Sequence, residues 1–226
     1  PRFLALLYLV PVIPLIGPLP EKLKNPPSAH GILRDRHGKE LTHFPRQDYF
    51  RHQPASLKEI PDHLIKATLA AEDKRFFDHP GIDYLASARA LYKNTRKNRV
   101  TSGASTITQQ LIKISTPQKK RTPSKKLSEI MLARRLETRW SKDQILTAYL
   151  NRLDYGSYRQ GCAEAARYFF KKPLTDLSLA EAALLAALPQ APSRLNPRRN
   201  PQAALERRNW ILDRLAFEFD YPSSQI

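Results

Sequence analysis

Residues 61–81 read PDHLIKATLAAEDKRFFDHPG and decide the fold class. Pro61 suits the first turn of a helix, because its missing N–H would have no partner there. The Ala- and Leu-rich run that follows predicts a helix that continues to Phe77, where Pro80-Gly81 then stops the chain. The stretch therefore indicates an α-rich protein.

Glu72 lies late in this helix beside aromatic residues, and His79 follows about two turns later. Partial burial would make such a carboxylate a better proton acceptor, as catalysis by a general base requires. A surface acid with a histidine at the helix end explains the same pattern equally well.

Further signals outward from this stretch are also helical. Three Ser/Thr-x-x-Gln/Glu patterns predict capping boxes at helix starts, at 106–109, 141–144 and 178–181, and Asn200-Pro201 opens a last helix. Residues 31–44 predict a short hairpin that turns at His37-Gly38. With only 7 Gly against 19 Pro, we expect one mainly α domain with a short N-terminal β-hairpin.

Composition limits the class of function. The 226 residues contain 38 Lys and Arg against 21 Asp and Glu, a net charge of +17, and 41% are hydrophobic, which excludes a disordered chain. The single cysteine, Cys162, excludes an intrachain disulfide framework and a multi-cysteine zinc site; we expect it to be a small core residue. The charge predicts a polyanionic partner: nucleic acid, an anionic membrane or a phosphorylated substrate.

The first residues favour the membrane. Residues 3–19 are apolar and uncharged, close to the length that crosses a bilayer as a helix. We predict a truncated N-terminal membrane anchor at 1–20, a linker and hairpin at 21–55, and a catalytic domain at 56–226. A secretory signal peptide is the alternative, although no small-x-small cleavage site follows.

Residues 101–113, TSGASTITQQLIK, form a hydroxyl-rich loop that leads into a helix start. Free backbone N–H groups at such a terminus favour a phosphate, and Gln110 and Lys113 add donors one turn apart. An ordinary capped helix is the alternative.

Lys125, Lys126 and Glu129 share one helical face by their spacing. They predict either a cationic clamp around a carboxylate or a solvated ladder of ion pairs. Between Tyr84 and Lys142, Glu129 and Glu137 are the only acids in a strongly basic stretch, which suits either a solvated face or lipid phosphates.

In their order, these blocks resemble the family 51 peptidoglycan glycosyltransferases, the polymerase module of class A penicillin-binding proteins and of monofunctional transglycosylases. The resemblance covers roughly residues 60–215 and includes E-D-x-x-F-x-x-H-x-G, S-T-I-T-Q-Q-L-x-K, K-K-x-x-E-I and L-S-L-A-E-A-A-L-L-A-A-L-P-Q-A-P-S-x-L-N-P. The hairpin and the last motif look most like the bifunctional proteins of the 1C type.

The resemblance implies a mainly α, bilobal, lysozyme-like glycosyltransferase domain with a membrane-docking jaw subdomain. It implies polymerisation of lipid II into β-1,4 glycan strands, with inversion at the anomeric carbon and release of undecaprenyl pyrophosphate. The enzyme would be a moenomycin target in cell-wall biogenesis. Its single-pass anchor would lie in the inner (cytoplasmic) membrane, with the catalytic domain on the periplasmic or extracellular side.

The resemblance also implies roles for individual residues. Glu72 matches the catalytic base, and Glu129 matches a carboxylate that supports the leaving group, directly or through a divalent ion. Lys125 stands where the family usually has Arg, which keeps the charge but loses bidentate geometry. The remaining matches are substrate-binding residues: Asp73, Phe76, His79, Ser105, Thr106, Gln109, Gln110, Lys113, Lys125, Lys126, Gln190 and Ser193.

The resemblance also implies partners, and two other classes of function stay open beside it. The implied partners are lipid II, the growing glycan chain on undecaprenyl pyrophosphate, the membrane and other cell-wall synthesis proteins, without nucleic acid. A divalent cation, Mg²⁺ or Mn²⁺, is the one cofactor left open. A lysozyme-like muramidase would also use a glutamate, and a non-enzymatic binder of membranes or nucleic acid would explain the charge alone.

Overall fold

The computed structural model describes residues 17–96, 105–116, 122–219 and 221. Helices carry most of this part of the chain: α1 Glu21–Lys24, α2 Asp62–Glu72, α3 Tyr84–Arg96, α4 Ile107–Ser115, α5 Pro123–Glu137, α6 Lys142–Arg152, α7 Cys162–Phe170, α8 Leu179–Ala187 and α9 Pro201–Phe219. The strands are β1 Gly31–Arg34, β2 Glu40–Phe44, β3 Arg51–His52 and β4 Arg159–Gln160. The predicted mainly α class is confirmed.

Most of the predicted anchor, residues 1–16, lies outside the described residues, as do residues 97–104 with the first part of the hydroxyl-rich loop. Among the residues that the structure describes, no helix combines the length and the apolar character that a bilayer crossing requires.

The chain divides into two compact units. The first unit comprises residues 1–26 and 75–149, and the second unit comprises residues 27–74 and 150–226. Each unit is therefore built from two separate stretches of sequence.

In the first unit, α4 packs along α5 and the short α1 contacts α4. The Thr106 hydroxyl starts α4 by accepting a hydrogen bond from the Gln109 amide (3.2 Å), and the Thr122 hydroxyl starts α5 by accepting one from the Lys125 amide (3.3 Å). Each buried aliphatic side chain stabilises the pair by about 1.5–3 kcal/mol. Those fully buried are Ile107, Leu111, Ile112 and Leu136.

In the second unit, α2, α8 and α9 pack on one another around a shared apolar core. Alanines on α2 and α8 allow close packing of these two helices, and α9 supplies the larger side chains. The core residues are Ala67, Ala70, Ala183, Ala186, Ala187, Ile211, Leu212 and Leu215.

The second unit also contains the four short strands. β1 and β2 pair antiparallel, with Gly31 opposite Phe44, and Gly38 in their turn has φ 82°, a conformation that favours glycine. The predicted hairpin is thus confirmed. β3 and β4 pair in parallel, with Arg51 beside Arg159.

The prediction that the helix begun at Pro61 continues to Phe77 was wrong, because α2 ends at Glu72. Asp73 leaves the helix with φ −160°, although its amide still donates to the Leu69 carbonyl (2.8 Å). Aspartate favours helix ends because its side chain competes for backbone groups. His79 therefore does not lie two turns along the same helix; it follows a separate 3₁₀ turn, Phe76–Asp78.

Two of the three predicted capping boxes are confirmed as reciprocal. Ser178 and Glu181 exchange both hydrogen bonds, as do Ser141 and Gln144. At Thr106 only the threonine half forms as predicted, because the Gln109 side chain is used for tertiary contacts.

Candidate active site

The ammonium group of Lys126 is the centre of a polar cluster in the first unit. Its Nζ lies 3.0 Å from Ser105 Oγ, 2.8 Å from Gln109 Oε1 and 3.5 Å from Glu129 Oε2. α5 supplies Lys126 and Glu129, whereas the start of α4 supplies the other two. The structure thus brings together residues from two separate motifs, and we call these four residues the Lys126 cluster.

Glu129 is the anionic member of this cluster, and it is only 5% exposed. A buried carboxylate is costly unless a positive charge and hydrogen-bond donors compensate it. Lys126, half-buried one turn earlier on α5, supplies that charge. This favours the clamp interpretation over a solvated ladder, because the pair is not on an open face.

The start of α4 is fixed by the backbone around Gly81. Thr106 donates from Oγ1 to the Gly81 carbonyl (2.8 Å), and Gln109 Nε2 lies 3.5 Å from the same oxygen. Gly81 has φ 87°, and a Cβ there would lie 3.0 Å from the Ala133 carbonyl oxygen on α5. A larger residue would therefore displace α5, which carries Lys126 and Glu129.

Phe76 and His79 are buried beside Lys142 in the same unit. The Lys142 ammonium lies 4.3 Å above the centre of the Phe76 ring and donates to the His79 carbonyl (2.6 Å). It also donates to Glu137 (2.8 Å), and Glu137 accepts from the hydroxyl of Thr108 on α4 (2.5 Å). This network holds the Phe76–His79 segment against α4 and α5.

Gln110, Lys113 and Lys125 belong to the same two helices as the cluster and differ in exposure. Gln110 accepts a hydrogen bond from the Tyr149 hydroxyl (3.0 Å), which fixes its side chain. Lys113 is exposed in the last turn of α4, and Lys125 is half-buried in the first turn of α5. Both lysines can turn toward an anionic ligand at modest cost, since neither is fully buried.

Glu72 belongs to the second unit, where it is the last residue of α2 and half-buried. Asp73, which caps the helix, is 7% exposed. The neighbouring Lys74 pairs with Glu218 on α9. The end of α2 is thus held in place by apolar packing along its length and by an ion pair just after it.

A cation near Glu72 is Arg207 on α9. Burial lowers the pKa of the Arg207 guanidinium, and the Glu72 carboxylate opposes that shift. Arg207 also stacks 3.9 Å from the ring centre of Trp210. A positive charge in a partly apolar setting therefore accompanies the candidate base.

Gln190 and Ser193 also belong to the second unit. Gln190 ends the 3₁₀ turn Leu188–Gln190 that follows α8, and both side chains are exposed. No described contact ties either side chain to Glu72, so their part in binding substrate stays a prediction.

Comparison with known proteins decides the family. The family described as transglycosylase matches residues 37–216 of this chain. The chain belongs to the transglycosylase family. This confirms the resemblance carried by the motifs and, with it, a peptidoglycan glycosyltransferase domain; it disfavours the muramidase and the non-enzymatic binder.

Curated relatives of this transglycosylase are named penicillin-binding protein 1A. The protein from Pseudomonas aeruginosa is 38% identical over 212 residues, which cover 93% of this chain and 25% of the relative. The protein from Aquifex aeolicus is 40% identical over 215 residues, which cover 94% of this chain and 29% of the relative. The chain thus spans about a quarter of the length of these relatives. The finer likeness to the 1C type stays a prediction.

A solved structure of penicillin-binding protein 1A from Haemophilus influenzae also aligns with this transglycosylase. The alignment has a TM-score of 0.48 and 22% identity, and it covers 87% of this chain and 19% of that chain.

Sequence reasoning missed several residues that support the transglycosylase site. Glu137 and Lys142 order the Phe76–His79 segment, Tyr149 orients Gln110, and Arg207 lies near Glu72. One signal was available for Glu137: it and Glu129 are the only two acids in a long basic stretch, and both side chains are buried. An isolated acid among many cations is a good candidate for a buried ion pair.

The Lys126 cluster does not fit a divalent cation well. One oxygen each of Ser105, Gln109 and Glu129 faces the Lys126 ammonium. A Mg²⁺ or Mn²⁺ ion on the same oxygens would have to displace this ammonium, and these ions prefer several carboxylate or water ligands. In the transglycosylase, Lys126 itself supplies the positive charge beside Glu129.

Proposed function

We propose that this chain polymerises lipid II, with the growing glycan on undecaprenyl pyrophosphate as donor and a second lipid II molecule as acceptor. The Lys126 cluster is the observation that carries the proposal. It presents a cation between a buried carboxylate and the start of α4, which suits a phosphate leaving group. The names of the relatives, which are penicillin-binding proteins, support this substrate class.

The reaction needs a base on the acceptor and charge stabilisation on the donor. Glu72 accepts the proton of the acceptor 4-hydroxyl as that oxygen attacks the anomeric carbon. The bond from this carbon to the pyrophosphate oxygen breaks, so the α-linked donor gives a β-linked product. A single displacement accounts for the inversion without a covalent intermediate.

The leaving pyrophosphate gains negative charge as its bond breaks. Lys126 on α5 supplies charge-assisted hydrogen bonds to its oxygens. Lys125, the preceding residue, and Lys113 on α4 add further bonds of this kind. Ser105, Thr106, Gln109 and Gln110 line the donor position. Glu129 keeps the Lys126 ammonium in place, so it supports the leaving group through Lys126 and without a metal ion.

The enzyme acts at the membrane and consists of an anchor, a linker and a catalytic domain. Residues 1–20 act as the anchor, residues 21–55 as linker and hairpin, and residues 56–226 as a bilobal, lysozyme-like domain with a membrane-docking jaw. Asp73, Phe76 and His79 shape the acceptor side around Glu72, and Gln190 and Ser193 contact substrate. The basic residues of the first unit face anionic lipid on the outer side of the cytoplasmic membrane.

Synthesis of glycan from labelled lipid II, resolved on a gel with and without moenomycin, tests this function. We expect a ladder of products that grows with time and disappears with the inhibitor. Release of soluble muropeptides from finished peptidoglycan, without any ladder, would contradict the proposal and favour a lytic enzyme.

A further inference from the structure

A cavity of about 500 Å³ opens in the second unit, between the strands and the end of α7. No motif of the sequence pointed to it, and none of the proposed catalytic or substrate-binding residues lines it. Its walls are strongly basic: His43, Arg51, Arg159, Glu164, Arg167, Tyr168, Lys171, Lys172 and Pro173. We call this the β3–α7 cavity.

The parallel pairing of β3 and β4 places Arg51 directly beside Arg159. Like charges side by side on neighbouring strands destabilise a sheet. The side chain of Arg159 is only 13% exposed, so water screens this repulsion weakly. Burial lowers the pKa of the Arg159 guanidinium; Glu164 opposes this shift, and the nearby Arg51 adds to it.

The carboxylates around the cavity compensate only some of its cations. Arg167 pairs with Glu40, whose pKa falls to about 2 because of that hydrogen bond, and Lys172 pairs with Glu181 (2.8 Å). Arg159 Nε lies 3.2 Å from Glu164 Oε1 without the alignment of a hydrogen bond.

Arg51 and Lys171 are the cations left over. Among the described residues, neither forms an ion pair with a carboxylate. Lys171 ends α7 with φ 61°, a left-handed conformation in which glycine is the usual residue. The chain therefore holds a lysine at the cavity rim at a conformational cost.

The wall beside these cations is the ring of Tyr168. The Arg159 guanidinium lies 4.3 Å from the centre of this ring, and the Arg198 guanidinium lies 4.2 Å from it. Stacking on an aromatic ring fixes a guanidinium without using its hydrogen-bond donors. Arg159 thus keeps donors for a ligand.

We propose that the β3–α7 cavity binds the phosphate group of a phosphate monoester or pyrophosphate. Two uncompensated cations approach from a strand and from a helix end, which matches a dianion that accepts hydrogen bonds in several directions. A single carboxylate carries one charge and accepts in one plane, so it would satisfy only part of this arrangement. The volume is within the range of small-ligand sites and leaves room for the organic part of the ligand.

The test uses the full chain in a maltoside detergent, titrated with inorganic pyrophosphate. NMR signals from the backbone amides of Tyr168 and Lys171 report binding at this cavity alone, separately from binding near Lys126. We expect saturable shifts for the wild type and at least a tenfold loss of affinity for Arg51→Gln/Lys171→Gln. Acetate should cause no saturable shift.

A matched control is Lys58→Gln/Arg36→Gln, which removes the same charge from exposed positions of the same unit. It should change the affinity by less than about twofold, because diffuse surface charge is screened by salt. The cavity variant should remain folded and unfold at a slightly higher temperature without ligand, since it loses the repulsion between Arg51 and Arg159. Equal affinities for the wild type and both variants would overturn the proposal.

A second arm distinguishes a soluble phosphate from a lipid headgroup. Flotation with phosphatidylcholine vesicles that contain phosphatidic acid is compared for the three proteins. A weaker association of the cavity variant alone identifies a headgroup as the ligand, whereas equal flotation together with the pyrophosphate shifts identifies a soluble phosphate. Absence of both effects would also overturn the proposal.

Discussion

The first unit positions its candidate residues with charges and hydrogen bonds, whereas the second unit positions Glu72 by apolar helix packing. In the first unit, Lys126 contacts three oxygens, and Glu129 is buried against it. In the second unit, α2 lies on α8 and α9 through alanines and aliphatic side chains, and Glu72 is its last residue. Loss of charge should therefore disturb the site residues of the first unit most, whereas loss of volume should disturb the position of Glu72 most.

The largest effect should come from Glu72→Gln, which keeps the shape of the side chain but removes the proton acceptor. We expect the rate of lipid II polymerisation to fall about 10²–10⁴-fold, with the circular dichroism spectrum unchanged. Asp62→Asn, at the exposed start of the same helix, is the matched control and should keep nearly full activity. A Glu72→Gln enzyme with more than roughly a tenth of the wild-type rate would exclude Glu72 as the base.

The apolar frame of the second unit is tested by Ile211→Ala. Ile211 on α9 is fully buried, so its truncation should lower the free energy of unfolding by about 2–5 kcal/mol. Urea denaturation measures this change. Leu205→Ala on the same helix, where the side chain is 40% exposed, should cost less than about 1 kcal/mol. Equal losses for the two variants would show that α9 is not packed as described.

The charged site of the first unit is tested by Lys126→Ala and Lys113→Ala. Each should raise the barrier to lipid II turnover by about 2–4 kcal/mol, roughly 30- to 1000-fold in rate, if the lysine meets the leaving group. Turnover should be measured at about 0.3 M salt, which screens the diffuse attraction of surface charges.

Two controls separate catalysis from folding in that experiment. Arg89→Ala removes an exposed cation of α3 and should leave the rate nearly unchanged. Lys126→Arg keeps the charge beside the buried Glu129, so it should keep the thermal stability even where the rate falls. Small and equal losses for all the alanine variants would leave the basic residues as a membrane-facing surface only.

A smaller effect concerns the histidines of the second unit. Burial lowers the pKa of His52, and burial together with His30 lowers that of His43, from the usual value of 6.5. The folded state therefore favours the neutral ring of both histidines, and the unfolded state binds protons more readily. The free energy of unfolding therefore has its full value above about pH 6.5, where both histidines are neutral in either state. It decreases as the pH falls toward the lower pKa values of the folded state.

Thermal unfolding at a series of pH values measures this dependence. The melting temperature should fall as the pH drops below about 6.5, and His52→Gln should flatten the curve. His37→Gln, at the exposed turn of the hairpin, should leave the curve unchanged. A melting temperature that rises on acidification would contradict the assigned direction.

The sequence predicted the features that contiguous motifs encode. The capping pairs Ser141–Gln144 and Ser178–Glu181 and the hairpin turn at Gly38 depend on residues a few positions apart, so spacing alone was sufficient. Lys126 and Glu129 were found for the same reason, because they lie one helical turn apart. The family followed from the order of such motifs.

The sequence did not predict what depends on distant pairing. The end of α2 was misplaced because the Ala-rich pattern continues toward Phe77, whereas the structure ends the helix at Glu72. The β3–α7 cavity was missed because Arg51 and Arg159 become neighbours only when two strands far apart in sequence pair in parallel. In the sequence, these arginines contributed only to the overall excess of basic residues.

The contacts around Gly17 and Pro18 have a mechanical consequence. Arg139 donates to the Gly17 carbonyl (2.9 Å), and Arg135 donates to the Pro18 carbonyl (3.0 Å), so one arginine of α5 and one just past its end bind the backbone where the apolar leader ends. A pull on the leader is transmitted to α5, the helix that carries Lys126 and Glu129. A displacement of residues 17–18 would thus act on α5 and the turn after it directly through these two hydrogen bonds.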